Sequence, residues 1–204
     1  KLNILTVYRP LSSEAAGLSL SSSAGDRFIL VNSNSPRGRQ HFTIAHELYH
    51  LFYDEAPRPH LCKTDGKSKE ERQADMFASA LLMPFEGVLA MLPAQSVAEK
   101  EVTLPQILRL EQYFGVSRST MLLRLKELNL LTEGRYEELS KLSPTRTAYE
   151  YGYDNALYRP GNEGLVIGDY GEKARALFEM ERISEGHYNE LLKLLRYDQS
   201  GDCD

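Results

Sequence analysis

A chain of 204 residues, 42% of them hydrophobic and 26% charged, can bury one sizeable core or a compact enzyme domain with a small appended unit, and its make-up excludes a disordered or fibrous protein. The net charge of −5 is unevenly spread: ten basic residues stand against eleven acidic ones over 1–99, five against three over 100–131 and nine against fifteen over 132–204, so little is gained from counterion release and general DNA binding is not expected. No apolar run approaches the ~20 residues that span a bilayer, and Lys1 to Pro10 lacks a signal-peptide layout, so a cytoplasmic protein without a membrane partner is expected.

In chain order, the first forty residues read as short strands joined by turns. Leu18 and Leu20 alternate with serines, Ala24-Gly25-Asp26 is a turn, and Phe28 to Val31 is an apolar run of strand length before a loop over 32–39. From His41 the period becomes helical, with Phe42, Ala45, Leu48, Tyr49 and Phe52 on one stripe, until Pro57 stops it. Residues 57–67 read as a loop. A second helix opens at Ser68 as N-cap, carries Ala74, Phe77, Ala78, Leu81 and Leu82, and ends at Pro84. Thr103 to Leu131 reads as two helices around Gly115, with Ser117 capping the second and Met121, Leu122, Leu125 and Leu128 on its buried face. Residues 143–170 hold five tyrosines and little periodicity and receive no assignment, and two further helices follow over 172–182 and 184–196. Cys62 and Cys203 are too few for a disulfide framework and read as free thiols.

The chemistry lies in His46-Glu47-Leu48-Tyr49-His50, the HExxH pattern. Residues i and i+4 share a helix face, so both imidazoles can reach one ion, while Glu47 points a quarter turn aside. A zinc ion lowers the pKa of a water it holds from ~15.7 to ~7, and a carboxylate so placed takes the proton as the water attacks a carbonyl. On the second helix Glu71 and Asp75 are also i and i+4, in phase with Ala78 and Leu82 on the expected inner face. A metal explains Glu71, and a hydrogen bond from a ligating imidazole explains Asp75. The competing reading has Glu71 closing a capping box with Ser68 and Asp75 solvated. His60 lies ten residues after His50 and His41 five before His46, both poorly spaced for a third ligand. His46, His50 and Glu71, with a fourth position open, make the favoured site.

The run Phe42 to His50, followed by Glu71-Arg72-Gln73-Ala74-Asp75 through Leu82-Met83-Pro84, resembles the ImmA/IrrE family of metallo-endopeptidases. That resemblance implies that His46, His50 and Glu71 bind Zn2+ and that Glu47 is catalytic. It implies further a protein partner, an Xre-type helix-turn-helix repressor that is cleaved or otherwise antagonised so that mobile-element or stress genes are switched on. Asp75 stands where Asn is often found, so its role rests on helix geometry.

The expected fold is α+β: a small N-terminal β-sheet packed on a helical, zincin-like metallopeptidase core over 1–99, a helix-turn-helix-like unit over 100–131, and an acidic, Tyr-rich, mainly helical region over 132–204 that offers a partner surface. One rival is an interaction protein with a structural zinc that antagonises a repressor without cutting it. A second is a DNA-binding regulator that offers Arg118, Arg124 and Lys126 to a groove. Tyr149, Tyr151, Tyr153 and Tyr158 are candidates for an oxyanion-stabilising group, with none singled out.

Overall fold

A computed structural model describes residues 2–12, 15–53, 60–63 (backbone only) and 68–193. Cys203, the end of the last expected helix and the side chains of His60 and Cys62 lie outside these.

Three strands open the chain: β1 (Ile4–Arg9), β2 (Ala15–Ser21) and β3 (Arg27–Asn32). They are followed by helix α1 (Arg37–Tyr53), strand β4 (His60–Lys63) and helix α2 (Lys69–Leu82). The segment expected to be a loop over 57–67 therefore contains a strand. Its pairing partner is β2, antiparallel, with Leu18 opposite Leu61 and Ser19 opposite His60. Four residues with no alternation of their own carry little strand signal, and the open edge of β2 supplies the hydrogen bonds that make them one.

The sheet is completed from the unassigned region by β5 (Val166–Ile167), giving five strands in the order β4-β2-β3-β1-β5. β1 and β3 run parallel, and the other pairs are antiparallel. Helix α1 crosses one face, where Ile44, Leu48 and Leu51 pack on Tyr8, Ile29 and Val31.

Gly17 permits that crossing. A Cβ there would lie 2.6 Å from Thr43 Cγ2 and 2.7 Å from the Leu30 carbonyl oxygen, so only a bare backbone lets α1 approach β2 this closely. The start of α1 is fixed by Gln40, fully buried, whose amide nitrogen reaches the carbonyls of Ser33, Ser35 and Gly161.

Beyond α2 the chain is helical. Two six-residue helices, α3 (Phe85–Ala90) and α4 (Ala94–Glu99), precede the expected helix pair, α5 (Leu104–Phe114) and α6 (Arg118–Glu127). Gln106 accepts the Thr103 N–H at 2.8 Å at the start of α5, and, as the sequence indicates, Gly115 turns the chain at φ +65° and Ser117 caps α6 through the Thr120 N–H. An apolar cluster from Met83 through Ile107, Met121 and Leu125 to Leu139 holds these helices together. The bare Gly38 of α1 lies under the α5–α6 turn, where a Cβ would meet the Ser117 amide nitrogen at 2.8 Å.

α7 (Glu133–Ser140), α8 (Pro144–Glu150), a 3-10 turn over Ala156–Tyr158, α9 (Tyr170–Glu179) and α10 (Glu185–Lys193) complete the described chain. Among the described residues no helix is long and apolar enough to cross a membrane.

Candidate metal centre

α1 and α2 pack side by side and bring His46, His50 and Glu71 together. His46 Nε2 lies 3.1 Å from His50 Nε2 and 3.3 Å from Glu71 Oε2, and His50 Nε2 lies 3.5 Å from Glu71 Oε1. One ligand atom from each residue lies within 4.8 Å of the others, close enough for a single cation with bonds of ~2.0–2.2 Å to reach all three.

The donor chemistry fits a cation as well. His46 donates its Nδ1 proton to Asp75 Oδ1 at 2.9 Å, which leaves a lone pair on Nε2 turned toward His50 and Glu71. Two imidazole nitrogens and a carboxylate oxygen are a donor set suited to zinc. Both histidines are buried and Glu71 is nearly so.

Ser68 caps α2 by accepting the Glu71 N–H at 3.2 Å, yet the Glu71 carboxylate turns to the histidines. Asp75 departs from expectation in one respect. Its side chain is 54% exposed and reaches His46 from the rim, so it does not lie on a buried inner face.

Glu47 is fully buried, one position after His46, and accepts a hydrogen bond of 2.6 Å from the Ser19 hydroxyl on β2. Sequence reasoning missed Ser19. Alternation of Leu18 and Leu20 with serines reads as a solvated polar face, whereas in the fold Gly17 and Ser19 are buried and the leucines are only half-buried.

His41 and Tyr158 are engaged elsewhere. His41 Nδ1 lies 2.7 Å from the Gly115 carbonyl. Tyr158 donates to Glu111 Oε2 at 2.7 Å, and burial beside that carboxylate drives its phenol well above the usual range. Tyr149 is 78% exposed and Tyr151 half exposed.

Arg118, which the rival DNA-binding reading offered to a groove, is 3% exposed, ion-paired to Glu111 and bonded to Thr147 Oγ1 at 3.0 Å. Arg124 binds the Met83 carbonyl at 3.1 Å, and Lys126 pairs with Glu133 at 2.7 Å. Burial of Glu111 outweighs the pull of Arg118 and raises its carboxyl above the usual range.

Two histidines one helical turn apart and a glutamate from the next helix, on an α+β scaffold, define a metallopeptidase-type site. Residues 1–126 match the family model of the IrrE N-terminal-like domain, Peptidase_M78, and the chain belongs to that family. Compared with curated proteins, it matches none.

Proposed function

We propose that this member of the family is a zinc-dependent endopeptidase that cuts an Xre-type helix-turn-helix repressor and thereby derepresses mobile-element or stress genes. The observation that carries this reading is the convergence of His46 Nε2, His50 Nε2 and the Glu71 carboxylate within 4.8 Å of one another, with Glu47 adjoining.

His46, His50 and Glu71 would hold the metal, and Asp75 sets the tautomer and tilt of His46. Bound there, zinc supplies Lewis acidity that makes a coordinated water acidic near neutral pH and polarises a carbonyl. Glu47 is the general base and then the general acid: it takes the proton of the attacking water and returns it to the leaving amine. Its burial removes competing solvent from that exchange.

The choice of substrate is supported by the family resemblance and by charge. The sequence over 132–204 carries fifteen acidic against nine basic residues, and Tyr149 and Tyr151 are exposed, both of which suit a basic, DNA-binding protein as partner. Direct DNA reading by α6 is disfavoured, because Arg118 is buried in its ion pair with Glu111 and Arg124 is held by the Met83 carbonyl. The test is co-expression with an Xre-type repressor, comparing the wild type with Glu47→Gln at matched zinc content. Fragmentation by the wild type alone supports the reading, and equal behaviour of the two forms contradicts it.

A further inference from the structure

We infer that Ser19 is a positioning residue for Glu47, its hydroxyl holding the carboxylate that the reading above makes the proton carrier, and this inference rests on that reading. Gly17 and Ser19 are i and i+2 on β2 and so share one face of the sheet, the face that α1 covers. Position 17 borders the carboxylate without crowding it: a Cβ there would stand 3.8 Å from Glu47 Oε1, an ordinary contact distance. Position 19 then carries the shortest hydroxyl side chain, whose Oγ meets Glu47 Oε2 at 2.6 Å, within the range of charge-assisted O–H···O⁻ bonds.

A glutamate has three side-chain torsions, and its terminal torsion is broad. Fixing Oε2 fixes the carboxylate plane and with it the position of Oε1. The two halves of the site are thus supported from different elements. Asp75 on α2 orients the ligand His46, whereas Ser19 on β2 orients the base Glu47. A residue acting only through the base leaves metal binding alone and affects whatever depends on where that carboxylate stands.

The experiment uses the full zinc-loaded chain and two probes. Acetohydroxamate chelates zinc while donating a hydrogen bond to a neighbouring carboxylate, and azide engages the metal alone. Zinc content, thermal unfolding and both affinities are measured for wild type, Glu47→Gln, Ser19→Ala and Ser19→Thr. The expected result is unchanged zinc content and azide affinity throughout, acetohydroxamate binding weakened ~10-fold by Ser19→Ala, and recovery in Ser19→Thr, which keeps the hydroxyl. If the added methyl of Ser19→Thr prevents folding, Ser19→Ala alone decides, since a purely structural serine would move both affinities or neither. Weakening by Glu47→Gln but not by Ser19→Ala overturns the positioning role and leaves the peptidase reading standing. Acetohydroxamate affinity indifferent to Glu47→Gln overturns both.

Discussion

His46 and Asp75 are joined across the α1–α2 junction by a 2.9 Å hydrogen bond from Nδ1 to Oδ1. Because Asp75 touches a ligand and Glu71 offers a ligand atom, the two carboxylates should separate cleanly in a metal titration. Wild-type protein offered zinc should carry one ion per chain. Asp75→Asn should lower zinc affinity ~10- to 100-fold, and Glu71→Gln by considerably more. Competition against a chelator measures both, and equal, negligible effects would make another residue the third ligand.

Gly17→Ala should destabilise the protein although the substitution is small. The new Cβ would stand 2.6 Å from Thr43 Cγ2 on α1 and 2.7 Å from the Leu30 carbonyl oxygen on β3, so both the helix and the neighbouring strand must give way. Overpacking of this kind costs ~1–3 kcal/mol. Urea unfolding of the two forms gives the difference, and an unchanged midpoint would show that the helix is not seated as described.

The Glu111–Arg118 pair should behave as one unit. Removing either partner, by Glu111→Leu or Arg118→Met, leaves a buried group without its counterpart at a cost of ~3–5 kcal/mol, and the double variant should lose less than the sum of the singles. Glu111 also sets a pH dependence. Its carboxyl is raised in the folded state, so the native protein binds more protons between the ordinary value near 4.5 and the raised one. The stability it contributes is complete below that window and falls as pH rises through it. Unfolding curves from pH 4 upward should show the wild-type advantage over Glu111→Leu shrinking, and an advantage that grows with pH would contradict the assignment.

DNA affinity should be weak. With Arg118 buried and Arg124 and Lys126 held by Met83 and Glu133, few cations remain on α6 to displace counterions. Fluorescence anisotropy with random duplex at physiological salt should show no binding at micromolar protein. Micromolar or tighter binding would restore the regulator reading.

What the sequence made legible followed from period and punctuation. His46, His50 and Glu71 lie on long helices whose apolar stripes fix which residues share a face, and Gly115 and Ser117 mark the α5–α6 turn by conformation and cap. What it hid depends on partners distant in the chain. β4 is a strand because β2 offers an edge, and β5 is two residues long and takes its identity from β1. The six-residue α3 and α4 are too short to show a period. Ser19 is the clearest case: a polar residue on an alternating strand reads as solvated, and only the arrival of Glu47 on α1 makes that face an interior one.

The most direct test of the whole account is turnover in the Glu47→Gln variant. Glu47 is buried beside His46 but offers no atom to the three-residue cluster, so the substitution should keep zinc and stability and remove only the base. Losing a positioned general base costs ~10²- to 10⁴-fold in rate, enough to erase slow, specific proteolysis. Repressor fragmentation and reporter derepression should be read together in cells making either form with an Xre-type repressor. The wild type should cut the repressor and switch the reporter on, while Glu47→Gln, still zinc-loaded and still binding the repressor, should leave it whole. Full derepression by Glu47→Gln with no fragmentation by either form would replace proteolysis with antagonism by binding.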